Sequence, residues 1–411
     1  MVFGYVGYAL CIVAYFTWGV SFNVPEVYKG TPADPHTFLS AGEWSAHVAM
    51  VRLRAVVFFL KSPLIWLALV GLIWTPAGKE LQSRIKQKFP EKIHVPIFAL
   101  FVLTIAQIIS LPFRFAQYRL AFREVLNVQS FFEWFTDFWL GFVVNALLLV
   151  FLVTFVFILI KRFRYWWLIL WTFVTPLAIA YVLIQPVWIE PLFYETTPLE
   201  GTPIAHEIRS FANRHDIGVE HLYEMNRSST STALNAFVYG IGDSARIVVW
   251  DNTLKALPLQ AVLYITAHEF GHFQDKHFYL GLASVILFMF PVLYIVHRCI
   301  HWFAHKAGHL SLTDARTVPF LLLIVSIMMF LSSPLQQGVS RGMEYEADRF
   351  ALEASSEPEA GIAAYQAIAK RNFSTAYPPP WVQFWTASHP PIVERIYRIW
   401  RYLETSRSSV P

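Results

Sequence analysis

Seven long apolar runs limit what this chain can fold into more than any other feature of its sequence. A helix needs about 20 mostly apolar residues to cross the hydrocarbon core of a bilayer. The runs that meet this requirement are residues 3–23, 54–74, 93–112, 138–160, 163–186, 278–300 and 317–337. They predict an α-helical multi-pass membrane protein with seven transmembrane helices.

The composition favours the same class of protein. Charged residues make up 15% of the chain and hydrophobic residues 56%, whereas about a quarter of a typical soluble domain is charged. The basic residues do not form a stripe interleaved with aromatic side chains, and no nucleic-acid motif is present. We therefore expect a lipid bilayer as the environment and no nucleic acid as a partner.

Two blocks, residues 190–277 and 338–411, are not membrane-like, because they contain much of the charge and several turn residues. Two spans separate them, and two spans return a chain to the side from which it started. We therefore expect the blocks to form one composite domain outside the membrane. The predicted division is residues 1–189 with five spans, 190–277 as the first part of the domain, 278–337 as a two-span hairpin, and 338–411 as the second part.

The stretch TAHEFGHFQDKHF, residues 266–278, contains the pattern HExxH. On a helix, His268 and His272 project from one face, and two imidazoles at this spacing can bind one zinc ion. Glu269 lies where it can reach a water molecule on the metal. A catalytic zinc has three protein ligands, so a third ligand must come from elsewhere. A helix end with chance histidines remains the alternative at this point.

A second polar cluster occurs in Ser340–Ala351. If this stretch is helical, Glu344 and Asp348 share a face while Glu346 points elsewhere. One carboxylate can then bind a metal and the other can hold a ligand imidazole in the correct tautomer. Taken alone, the stretch is better explained as a solvated charged face of a helix, and it points to a metal site only when it is paired with HEFGH.

Together, HEFGH and the later E-x-x-A-D pattern resemble the gluzincin membrane metallopeptidases, which include the HtpX-like proteases and the zinc CAAX prenyl proteases. The resemblance implies one zinc ion per chain, held by His268, His272 and Glu344. It also implies that Asp348 does not bind the metal but contacts a histidine that does. The composite domain would then be a mainly helical peptidase domain with a small β-sheet edge.

The CAAX prenyl protease branch is the most similar, because it also has seven spans. The segments that resemble it are residues 189–199, Asn235–Gly240 as a substrate-lining edge strand, and Ser388–Arg395 as a C-terminal motif. The loop Phe122–Gln129 matches loosely, since Val125 and Leu126 stand where the family has Gly-Phe.

The resemblance implies roles for further residues. Glu269 is the expected general base and acid, and His389 the expected donor to the oxyanion. Asn235 would bond the backbone of an extended peptide, and Arg395 would orient His389 or meet a substrate carboxylate. Without the resemblance, His389, Asn235 and Arg395 would be interpreted as a helix cap, a turn residue and a surface charge.

The expected function is that of a membrane-embedded zinc endopeptidase that processes the C-termini of prenylated CAAX proteins. One alternative keeps the chemistry but assigns membrane-protein quality control on peptide or protein substrates without a prenyl group. Another is a channel or scaffold with a structural zinc. The expected location is the endoplasmic reticulum membrane in a eukaryote and the inner or plasma membrane in a bacterium.

Four further histidines recur at every fourth position, which stacks them on one face of a helix. They are His297, His301, His305 and His309. Because no carboxylate accompanies them before Asp314, a basic interfacial face is favoured over a second metal site.

Overall fold

The computed structural model describes residues 1–184, 188–189, 193–218, 221–239, 246–306, 311–375 and 377–408. Long helices dominate the part that lies in the predicted membrane region. They are α1 Val2–Ala14, α2 Ala41–Trp74, α3 Pro76–Lys88, α4 His94–Arg123, α5 Phe131–Arg162, α6 Trp166–Ile184, α10 His277–Lys306 and α11 Thr317–Ala354. The peptidase-like part contains β1 Thr196–Pro198, α7 Pro203–Arg214, β2 His221–Met225, β3 Ala236–Tyr239, β4 Arg246–Trp250, α8 Asp251–Ala256, α9 Leu259–Gln274, α12 Ala360–Asn372, α13 Pro380–Thr386 and α14 Ile392–Ser408.

Six of the seven predicted spans fall on helices that are long and apolar enough to cross a bilayer. The first of these helices is α1 together with the π-helical turn Tyr15–Gly19 that follows it. The remaining one, 163–186, falls on α6, whose apolar stretch Trp166–Val182 is shorter; residues 185 and 186 lie outside the described part. The prediction of a multi-pass helical membrane protein with a small sheet is confirmed.

Two of the long helices begin at sequence-encoded caps. Ser40 accepts a hydrogen bond from the backbone of Glu43 at the start of α2, and the Glu43 side chain accepts one in return from Ser40. Ser130 and Glu133 form the same reciprocal pair at the start of α5. Each pair satisfies backbone N–H groups that the helix leaves unbonded, which fixes where these helices begin.

Helix α11 does not end at the membrane boundary that hydropathy predicts. It continues from Thr317 to Ala354, 38 residues, or roughly 57 Å at the helical rise. Its first half is the last span, and its second half enters the peptidase-like part with Glu344 and Asp348. A single continuous helix therefore joins the last predicted span to the predicted metal site.

The four strands form one sheet in the order β1-β2-β4-β3. Strands β2 and β4 are parallel, whereas the β1–β2 and β3–β4 pairs are antiparallel. Strand β4 is the most buried because Ile247, Val248 and Val249 are all enclosed. Strand β3 lies at an edge, as predicted for Asn235–Gly240; Gly240 itself is outside the described residues, as are residues 190–192 of the 189–199 segment.

One hydrophobic core joins the two non-membrane blocks. Its members include Ile208, Phe211, Val262, Tyr264 and Phe270 from the first block, and Ala351, Tyr365, Val393 and Ile396 from the second. Val24, Tyr28 and Ala33, from the loop between α1 and α2, are in the same core. The sequence-based division did not foresee this contribution from the first 189 residues.

Helices α9 and α11 cross at very close range. A Cβ added at Gly271 would lie 2.8 Å from the Cα atom of Ala347 and 3.0 Å from the Cβ atom of Phe350. Only glycine allows the backbones to approach this closely. Because Gly271 is inside the HExxH motif and Ala347 lies between Glu344 and Asp348, the crossing brings the two predicted halves of the site together.

We predict that Gly271→Ala destabilises the protein by about 1–3 kcal/mol, the usual range for overpacking, and lowers its metal content. The measurements are the thermal midpoint in detergent and the zinc content by elemental analysis. Gly342→Ala is the matched control, because a Cβ there meets nothing within 4 Å and alanine favours helix. A Gly271→Ala protein as stable and metal-loaded as the Gly342→Ala protein would contradict the prediction.

Candidate active site

The predicted metal ligands come together at the crossing of α9 and α11. His268 and His272 lie one turn apart on α9, with 3.2 Å between their Nε2 atoms. Glu344 on α11 places its Oε2 atom 3.4 Å from His268 Nε2 and its Oε1 atom 3.4 Å from His272 Nε2. The three side chains each offer a ligand atom within 4.8 Å of the others. The structure thus gathers the three residues that the sequence predicts.

The donor set fits a divalent metal ion. Glu344 is 5% exposed, and its Oε2 atom, which lies 3.5 Å from Arg395 Nη1, is buried without a hydrogen-bond partner among the described residues. A buried carboxylate oxygen is costly unless something compensates it. Two imidazole nitrogens and a carboxylate oxygen suit a first-row divalent cation, and three protein ligands leave one position open for a reactant.

A buried polar cluster contacts His268 at Nδ1, the ring nitrogen that does not face Glu344. The Nδ1 atom lies 3.0 Å from Asp348 Oδ1, so the Nε2 lone pair faces the ligand triangle. Tyr365 donates a hydrogen bond to the same oxygen at 2.6 Å. Arg395 donates from Nε to the other Asp348 oxygen at 2.8 Å. The placement of Asp348 fits its expected role, while Tyr365 carries no motif signal and was not predicted.

His272 is held by a different pair. Its Nδ1 atom lies 2.9 Å from Nδ1 of His277, whose Nε2 atom lies 2.9 Å from Glu346 Oε2. Glu346 points away from the ligand triangle, as the helical spacing predicts, yet it supports a ligand through His277. The sequence signal that could have revealed this contact is the position of His277, which begins α10 directly after the end of α9.

Glu269 and His389 lie beside the ligands. Burial raises the pKa of Glu269, although nearby histidines oppose the shift. His389 precedes α14 and places Nε2 3.2 Å from Glu344 Oε1, while Ser388 Oγ lies 2.8 Å from its Nδ1. If Ser388 donates this bond, Nε2 carries the proton and faces the site. Desolvation lowers the pKa of His389, which favours the neutral imidazole.

Arg395 has other contacts than the expected one with His389. It is 7% exposed, and its guanidinium is paired with both oxygens of Asp348 and packs over the Tyr365 ring at 4.3 Å. The expectation that Arg395 orients His389 therefore has no contact to support it in the described part of the chain. The charge of Arg395 is paired with Asp348, which in turn contacts His268. Arg395 therefore helps to hold Asp348 in place.

A cavity of about 970 Å³ opens from the ligands. Asn235 and Ala236, at the start of β3, line one side, and His389 lines another. Val51, Ala55 and Phe58 of α2 contribute an apolar wall. The site therefore faces both a strand edge and the side chains of a membrane helix, which suits an extended peptide with an apolar attachment.

The histidine series does not form a metal site among the residues that can be described. His297 packs on the Trp166 ring at 5.7 Å and on His301 at 4.5 Å, and none of the series belongs to a group of three or more ligand side chains. His309 lies outside the described residues.

We predict that Asp348→Asn reduces zinc affinity by about 10- to 100-fold, the usual effect of losing a residue that orients a metal-bound histidine. The change also leaves the buried Arg395 without its ion-pair partner. Competition with a fluorescent zinc chelator measures the affinity. Glu353→Gln, at an exposed position on the same helix, is the control, and equal affinities of the two variants would contradict the prediction.

Comparison with known proteins agrees with this geometry. Residues 198–402 match the model of peptidase family M48, and residues 23–195 match that of the CAAX prenyl protease N-terminal region with five membrane helices. The chain is 32% identical to the uncharacterized metalloprotease YhfN of Bacillus subtilis, over 95% of this chain and 93% of that protein. It is 25% identical to a CAAX prenyl protease 1 homolog of Oryza sativa, over 84% and 82% of the two chains.

The fold is also that of a solved structure. The crystal structure of S. mikatae Ste24p superposes with a TM-score of 0.78 over 97% of this chain and 96% of that one, at 17% identity. The chain is an integral, multi-pass membrane metalloendopeptidase. It belongs to peptidase family M48 and is similar to the CAAX prenyl proteases of that family.

Proposed function

We propose that the protein is a zinc endopeptidase, with one Zn²⁺ per chain, that removes the C-terminal residues of prenylated CAAX-type proteins. The observation that carries the proposal is the ligand triangle of His268, His272 and Glu344, opening into a cavity with a strand edge and an apolar wall from α2. The strand edge fits an extended peptide, and the apolar wall fits a prenyl chain attached to it.

Glu269 acts as the proton carrier of the reaction. A zinc ion bound by the three ligands supplies Lewis acidity, which lowers the pKa of water toward neutrality and polarises a carbonyl. Glu269 lies beside His268 in the cavity and takes the proton from the attacking water. It later delivers the proton to the nitrogen of the leaving amine.

His389 and Asn235 position the reacting peptide. His389 turns Nε2 toward the ligand triangle and can donate to the oxygen of the carbonyl as negative charge develops on it. Asn235 precedes the edge strand β3, and its exposed side chain lines the cavity. A peptide that adds to β3 gains backbone hydrogen bonds, and the Asn235 amide supplies another polar contact.

A second candidate function uses the same chemistry on peptides without a prenyl group, as in membrane-protein quality control. The observation that favours it is the higher identity to a bacterial metalloprotease, 32%, than to the rice CAAX prenyl protease homolog, 25%. A channel or scaffold with structural zinc is disfavoured, because membership of a peptidase family indicates catalysis and the described residues gather three candidate ligands at this site, the number typical of a catalytic zinc.

We predict that Glu269→Gln lowers peptidase activity by about 10²- to 10⁴-fold, the usual contribution of a general base, while zinc content stays unchanged. Gln has nearly the same shape but cannot accept the proton. Activity is measured by mass spectrometry of the peptide products, and Glu353→Gln serves as the exposed control. Full activity of Glu269→Gln would refute the hydrolytic role of this residue.

We further predict that a farnesylated CAAX peptide is cleaved with a kcat/KM at least about tenfold higher than its unprenylated twin, because an apolar chain gains free energy on burial. Removal of zinc by a chelator should abolish both reactions, and added Zn²⁺ should restore them. Equal cleavage of both peptides would favour the second candidate function.

A further inference from the structure

The charges that line the active-site cavity are unevenly distributed. Its acidic side chains are Glu269 and Glu344, which belong to the catalytic site, and its guanidinium groups are those of Arg54, Arg227 and Arg395. Arg395 is neutralised by Asp348. The other two arginines form no ion pair with any carboxylate in the described ranges. The cavity therefore holds two positive charges that the catalytic site does not use.

Arg54 extends from α2 into the cavity and is exposed there. It donates from Nη1 to the carbonyl of Phe373 at 3.3 Å and from Nη2 to the carbonyl of Asn372 at 3.4 Å. These two bonds orient the guanidinium plane but do not neutralise its charge. Since a guanidinium has five N–H donors, further donors remain to bind an anion.

Arg227 is held in a different way. Its guanidinium lies over the Tyr194 ring at 3.8 Å and over the Trp250 ring at 4.5 Å from the centroids. Its Nε atom is buried and has no hydrogen-bond partner among the described residues. The rings fix the plane of the guanidinium, and its Nε donor is not used by any acceptor among the described residues.

Both arginines are connected to the start of β3. Asn372, which binds Arg54 through its carbonyl, exchanges two hydrogen bonds of 2.9 Å with the backbone of Leu234. The backbone N–H of Trp250, whose ring supports Arg227, donates to the carbonyl of Asn235 at 3.1 Å. The two cations therefore flank the end of the substrate-binding edge at which β3 begins.

A peptide can add to a strand edge in either direction. If it lies antiparallel to β3, its C-terminal end reaches the beginning of β3, where the arginines are. If it lies parallel, its N-terminal side is placed there instead. The positive charge favours the first direction for a substrate whose C-terminus is a free carboxylate.

We propose that Arg54 and Arg227 form a subsite for the C-terminal carboxylate of the substrate, and that this contact sets the direction in which the peptide lies along β3. The inference rests on the proposed function of the same site. An extended peptide rises about 3.3 Å per residue, so a carboxylate three residues past the cleaved bond lies roughly 10 Å from it. The subsite therefore selects cleavage near a free C-terminus over cleavage inside a long chain.

The test compares two peptides that differ only at the C-terminus, one a free acid and the other an amide. Each is prepared with and without a farnesyl group, and kcat/KM is measured for all four. The wild-type protein should prefer the acid by about 10- to 100-fold, the range of a charged hydrogen bond. The acid-to-amide ratio should fall toward one in Arg54→Gln and Arg227→Gln, and most of it should remain in Arg54→Lys.

Arg52→Gln is the matched control. Arg52 is also on α2, but it packs over the Phe22 ring at 5.6 Å and does not line the cavity. Its substitution should leave the acid-to-amide ratio at the wild-type value. Thermal midpoints and zinc content establish that each variant is folded and loaded.

The possible results separate the subsite from the proposed function. A wild-type ratio near one overturns the subsite even if Arg54→Gln cannot be purified, whereas the proposed function still stands if the farnesylated peptides are preferred. An acid-to-amide ratio that is unchanged in both Arg54→Gln and Arg227→Gln also overturns the subsite.

A lipid phosphate is the other anion that can reach the arginines. If anionic phospholipid raises the thermal midpoint of the wild type but not of Arg54→Gln, and the ratio is near one, the subsite binds lipid and the proposal is wrong.

Discussion

The close crossing of α9 and α11 is the contact on which the rest of the site depends. Gly271 allows the Cα atom of Ala347 to approach to a distance that a Cβ atom would not tolerate. The histidines on one helix and the carboxylates on the other can then meet at a single point. Neither helix has the three proposed ligands alone, so the proposed metal site is a property of their packing.

The crossing also connects the membrane to the chemistry. Helix α11 is continuous from the last span to Glu344 and Asp348, and α2 contributes both an apolar wall and Arg54 to the cavity. Zinc peptidase chemistry does not itself require a bilayer. In this protein, residues of the membrane helix α2 line the cavity in front of the proposed metal ligands.

Much of the architecture was predictable because its signals are local. Hydropathy gave the positions of the long helices, and the HExxH spacing gave the shared face of His268 and His272. The loop at Val125 was harder to predict, since the family pattern has glycine where this chain has a β-branched residue. The structure gives Val125 a φ of 59°, in the left-handed region that glycine tolerates best. The roles assigned to His389, Asn235 and Arg395 came from resemblance, because nothing local in their sequence surroundings specifies a function.

The sequence by itself determined the class of protein, the helix that carries two metal ligands, and the shared face of Glu344 and Asp348, since each follows from hydropathy or from the 3.6-residue period of a helix. Only the tertiary structure decided which residues contact and orient those side chains. Tyr365 and Arg395 bind Asp348, and Glu346 contacts His277, which contacts His272. The tertiary structure also decided that Arg54 and Arg227, 173 positions apart in the sequence, line one cavity. The physical reason is that such contacts join residues distant in the chain, and their partners are set by how helices and sheet pack.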